Sequence, residues 1–92
     1  MAGKRGSMSL FHEMAEEAKK LVKERLADKE NRPAYMLESQ LNSILGELDK
    51  MEQIRNSGLF FPYYPKGIAD GWDYADPLAG ILLRLLGEYC KL

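Results

Sequence analysis

Ninety-two residues limit the chain to one domain with a small core, because a chain of this length buries only a modest fraction of its surface. At 46% hydrophobic and 29% charged residues, it has enough apolar content to collapse, which excludes disorder throughout. A formal net charge of -1 excludes a global field that would draw it to nucleic acid or to an anionic membrane.

The opening stretch "MAGKRGSM" carries neither helix nor strand pattern. It reads as an added leader ahead of a start at Met8, the other reading being a short disordered basic arm holding Lys4 and Arg5. Without it two positive charges leave, taking the net charge from -1 to about -3. No apolar signal core and no membrane-length apolar run is present. The lone Cys90 has no partner for an internal disulfide, so a cytoplasmic protein is expected.

Residues 9–28 form the first predicted helix. Phe11, Met14, Ala15, Ala18, Leu21, Val22 and Leu26 recur at helical spacing as one apolar stripe. Ser9 is placed as its N-cap, and Glu16 faces Lys20 as a stabilising i,i+4 pair. Lys19, Lys20, Lys23 and Arg25 are interleaved with Glu13, Glu16, Glu17 and Glu24, the mixture of a solvated face rather than of a nucleic-acid stripe.

"DKENRP" breaks that pattern, and Pro33 suits the first turn of a second helix running to about Asn56. Leu37, Leu41, Ile44, Leu48 and Met51 repeat at intervals of four and three, the seam of a bundle helix. Gly58 is expected at the left-handed position after the helix, with Ile54 and Leu59 as the apolar pair of a Schellman cap. Gly46 in its interior reads equally as tolerated or as a point of close backbone approach.

The third predicted helix opens on Asp76 as N-cap and Pro77 as first residue. Leu78, Ile81, Leu82, Leu85, Leu86 and Tyr89 form its inner face, while Ala79 and Leu83 widen the apolar arc. A helix apolar on most sides needs covering on several sides. A homodimer joined through Leu82, Leu83 and Leu86 is one way to cover it, and the segment before the helix is another.

That segment, residues 58–77, gathers six of nine aromatics and three of four prolines. Pro62 and Pro65 restrict it to an extended or edge path, so a long ordered loop is expected. Phe60 or Phe61, together with Ile68 and Trp72, is expected to pack inward; the tyrosines Tyr63 and Tyr64 and the acids are expected to face solvent.

No catalytic set is found. His12 reads as a solvated residue and Cys90 as a small apolar one near a frayed end. A zinc site on this one His and one Cys would need carboxylates or a second chain, and Asp70, Asp73 and Asp76 lack calcium-loop spacing. No metal or cofactor is expected. An enzyme or small-molecule module would instead require a pocket joining His12 or Cys90 to carboxylates.

The expected fold is all-α: a three-helix bundle, with helices one and two as an antiparallel hairpin and the last helix packed on both. The expected function is non-enzymatic protein interaction or regulation through the aromatic and acidic loop, using Tyr63, Tyr64, Lys66, Asp70, Trp72, Asp73 and Tyr74 against a partner that bears basic groups. The alternative is a structural or assembly protein whose partner is itself.

Overall fold

A computed structural model describes residues 2–92, with side chains from Ser9 onward. The only regular elements among the described residues are four helices, with no strand: α1 (Ala2–Ala27), α2 (Glu38–Ile54), α3 (Tyr64–Gly71) and α4 (Pro77–Cys90). Residues 2–8, read from the sequence as a leader or arm without helix pattern, form the first turns of α1. Four helices stand where three were expected, because part of the presumed loop is α3.

The apolar stripe of α1 builds the centre. Phe11, Ala15, Ala18 and Val22 are fully buried, and the two alanines let neighbouring helices approach closely. Both α2 and α4 pack against α1, while α3 packs on α4. Contacts at the two ends fix the directions. His12 and Lys19 of α1 meet Glu52 near the end of α2, and Phe11 stacks on Tyr89 near the end of α4. At the opposite end Arg25 meets Asp76, just before α4. Both α2 and α4 therefore run antiparallel to α1. The principal packing of α4 is on α1 and α3 rather than evenly on the first two helices.

Several boundaries differ from expectation for identifiable reasons. Ser9 lies inside α1 and is not its cap. Glu16 pairs with Lys19 at 3.3 Å, because Lys19 is drawn across to the carboxylates of α2. α2 begins at Glu38, five residues after Pro33. Residues 33–36 instead form a turn closed by the Met36 amide on the Pro33 carbonyl, which buries Met36 and carries the Tyr35 hydroxyl to Asp76. Tertiary contacts override the helix signal of the proline there.

At the far end of α2, Arg55 takes the left-handed conformation (φ 51°, ψ 38°) and its amide bonds the Met51 carbonyl. The Schellman cap on Gly58 does not form, and Leu59 is exposed. Asn56 explains the shift. Its carbonyl accepts the Leu59 and Phe60 amides, and its side chain accepts the Gly58 amide at 2.8 Å, so the chain has already turned. A Cβ on Gly46 would meet nothing, which removes the close-approach reading of that residue. The start of α4 matches expectation: Asp76 caps it by accepting the Leu78 amide at 2.9 Å, and Pro77 follows.

Candidate functional site

The segment between α2 and α4 is tied to the bundle at five places. Residues 56–60 are held by the buried Tyr89 hydroxyl, which lies 3.0 Å from the Asn56 carbonyl and 2.6 Å from that of Phe60 and donates to this pair. Glu47 of α2 accepts the Tyr63 and Tyr64 amides at 2.5 and 3.1 Å. That carboxylate satisfies two donors at the start of α3 and places negative charge where the helix dipole favours it. Pro65, without an amide proton, suits the same first turn.

Within α3, Tyr64 and Ile68 point inward at i,i+4 spacing, and Trp72 follows four residues later. The Tyr64 hydroxyl donates to the Leu82 carbonyl at 2.8 Å. Burial first, and the nearby Glu47 charge second, push this phenol well above the ordinary tyrosine range. The Trp72 indole donates to the Gln40 side-chain oxygen at 2.9 Å. Gly67 makes room for this bond, because a Cβ there would lie 2.5 Å from Gln40 Nε2. The last tie is Asp76. Both its oxygens accept from Arg25, at 2.8 and 3.0 Å, and Tyr35 adds a bond at 3.2 Å. Burial alone would raise the Asp76 carboxyl, but Arg25, the Leu78 amide and Tyr35 together hold it below the usual range.

These ties sort the predicted residues. Tyr63, Lys66, Asp70, Asp73 and Tyr74 are exposed. Tyr64 and Trp72 are in the core, so the expectation of an outward Tyr64 is corrected: its ring is buried in the core cluster and the Leu82 carbonyl accepts its proton. Leu82 is also fully buried, covered within the chain, whereas Leu83 and Leu86 are half-buried. Phe60 is half-buried beneath the Lys50 ammonium, 5.5 Å from the ring centre. Four large side chains remain outside: Leu59 at 78% exposure, Phe61 at 53%, Tyr63 at 83% and Tyr74 at 63%. Leu59 was expected in the cap of α2 and Phe61 was one of two candidates for an inward ring; both instead face solvent, and Phe60 is the ring that packs inward. A groove of about 360 Å³ between α2 and α3 opens beside Tyr63, lined by Gln40, Ser43, Ile44, Glu47 and Gly67.

A second polar cluster lies at the other end of α2. Lys19 reaches Asp49 at 2.6 Å, Glu16 at 3.3 Å and Glu52. Partial burial works against its charge, but bonds to Asp49, Glu52 and Glu16 hold the ammonium above the usual lysine range. His12 Nδ1 stands 2.8 Å from Glu52 Oε2. An open cleft of about 530 Å³ lies alongside, lined by Ser9, Phe11, His12, Glu13, Glu52 and Arg55. His12 therefore faces a carboxylate across a helix interface and is not simply solvated. The signal available in the sequence was the i,i+4 spacing of His12 and Glu16 opposite Asp49 and Glu52 on an antiparallel neighbour.

Compared with known proteins, the chain matches no family model, no curated protein and no solved structure. Among the described residues, no helix is long and apolar enough to cross a membrane.

Proposed function

We propose that this is a small, non-enzymatic, cytoplasmic interaction protein that docks a protein partner through the outer surface of residues 59–75. The observation that carries it is the contrast along one segment. Tyr64, Ile68 and Trp72 are buried, while Leu59, Phe61, Tyr63 and Tyr74 are presented to solvent. Exposed aromatic side chains on a firmly held backbone are the usual anchors of protein interfaces. Asp70 and Asp73 are exposed on the same segment, with Lys66 as its only basic residue. That balance favours a partner segment bearing arginine or lysine, through ion pairs and cation–π contact with the tyrosines.

Homo-oligomerisation is the second reading, and Leu83 and Leu86, both partly accessible on α4, are what support it. Leu82 has no role in it, being covered within the chain.

The test is a comparison of wild type with a Phe61→Ala/Tyr63→Ala/Asp73→Ala variant. A partner captured from the native host is purified and its affinity measured for both chains. Loss of about tenfold or more in affinity, with an unchanged melting temperature, is expected from truncating interface anchors. Equal affinity for both chains would reject this surface. Sedimentation of Leu83→Glu/Leu86→Glu beside wild type tests the second reading.

A further inference from the structure

The unabsorbed feature is the cluster between α1 and α2. His12 and Glu16 lie four residues apart on α1 and so share a face, and Glu52 approaches from α2. The ligand atoms of these three residues all lie within 4.8 Å of one another. Lys19 occupies one oxygen of each carboxylate, Oε2 of Glu16 and Oε1 of Glu52. Glu52 Oε2 is buried and has no hydrogen-bond partner. Its close neighbour is His12 Nδ1 at 2.8 Å, and the imidazole is not oriented to donate to it.

An imidazole nitrogen and a carboxylate oxygen held this close without a hydrogen bond resemble two donors aimed at one ion. Donors around a metal with bonds of about 2.1 Å stand roughly 3 Å apart. The charge agrees, since Glu16, Asp49 and Glu52 bring three carboxylates against the single ammonium of Lys19. The exposed side chains of His12 and Glu16 have room to close the remaining distance, and the adjoining cleft leaves space for a bound water.

We propose that His12, Glu16 and Glu52 bind a first-row divalent cation that clasps α1 to α2. One imidazole and two carboxylates form a borderline-hard donor set, which suits zinc or cobalt better than copper(I) or calcium. Because Glu52 comes from a different helix than the other two ligands, the ion would bind the folded chain in preference to the unfolded one and stabilise it.

The experiment is a calorimetric titration of the full chain with zinc chloride near neutral pH, repeated with His12→Ala, Glu52→Gln and the neighbouring Glu13→Gln. One saturable site is expected, weakened at least about tenfold by His12→Ala and by Glu52→Gln, because even outer-shell changes cost that much. Glu13→Gln should bind like wild type. Saturating zinc should raise the melting temperature of wild type by about 5 °C or more and leave that of His12→Ala unmoved. His12 is exposed, so His12→Ala folds whether or not Glu52→Gln does. The proposal is overturned if wild type shows no saturable site. It is equally overturned if His12→Ala binds as wild type does, or if Glu13→Gln weakens binding as much as His12→Ala, which would mark diffuse attraction to acids.

Discussion

Tyr63 and Tyr64 are chemically identical neighbours with opposite surroundings, 83% and 3% exposed. Truncating each to alanine separates the two roles of their segment. Tyr64→Ala empties a site among Ile68, Leu82 and their neighbours and removes the 2.8 Å bond to the Leu82 carbonyl. Large-to-small changes of buried aromatics cost about 3–5 kcal/mol. A domain of this size is stable by roughly 5–14 kcal/mol, so about a fifth of its stability or more is at stake. At about 4–8 °C per kcal/mol, the melting temperature should fall by at least about 12 °C. Tyr63→Ala keeps the backbone amide that bonds Glu47 and loses only a solvated ring, so it should stay within about 0.5 kcal/mol of wild type. Tyr64→Phe keeps the ring and isolates the hydroxyl, at about 1 kcal/mol. Thermal and urea unfolding followed by circular dichroism measure all three. If Tyr63→Ala and Tyr64→Ala unfold together, the division of this segment into an inner and an outer face is wrong.

Gly46→Ala should stabilise by up to about 1 kcal/mol in urea unfolding, since α2 gains helix propensity and the new methyl group meets nothing. Gly67→Ala should push Gln40 aside and break its bond to Trp72, shifting the emission of the chain's only tryptophan, which Gly46→Ala leaves unchanged. Glu47→Gln weakens the cap on α3 and should cost about 1 kcal/mol, read from the melting temperature. Asp76→Asn keeps the cap but loses the charged pairing with Arg25, for about 1.5–3 kcal/mol near neutral pH. Because the folded state holds the Asp76 carboxyl below its usual value, its contribution is complete above about pH 4 and fades as pH falls through the folded value. The deficit of Asp76→Asn against wild type should therefore shrink in acid; a deficit constant with pH would show that the charge is not its source.

The bundle was legible where the signal was periodic. The stripes of α1 and α2 and the Asp76–Pro77 start of α4 follow from spacing and capping chemistry alone. What escaped was decided by distant partners. α3 is only eight residues long, contains two glycines, and has no capping side chain of its own. Its start is satisfied by Glu47, sixteen residues upstream of Tyr63, which no local rule detects. Pro65 at a first turn and the 64–68–72 inward spacing were readable, but Pro62 close by argued for an extended path. The left-handed Arg55 escaped for a similar reason: Asn56 is engaged by Tyr89, whose place depends on how α4 packs. The His12 cluster needed the antiparallel pairing of α1 and α2 before its members could be seen as neighbours.

On the proposed reading, packing onto the bundle and docking a partner are two aspects of this one segment. An eight-residue helix flanked by irregular chain is far too short to hold itself in water. Here Tyr89, Glu47, Leu82, Gln40 and Arg25 each fasten it at a different point, drawing on α1, α2 and α4. The inward residues Tyr64, Ile68 and Trp72 therefore supply the order that Leu59, Phe61, Tyr63 and Tyr74 need if they are to meet a partner without first being immobilised. Ordering a loop on binding subtracts from affinity side chain by side chain, and a surface fixed beforehand avoids much of that loss. It follows that substitutions at Gln40 and Glu47, which contribute no ring to the surface, should weaken partner binding by loosening it. The most direct measure is affinity for the same purified partner at temperatures well below unfolding.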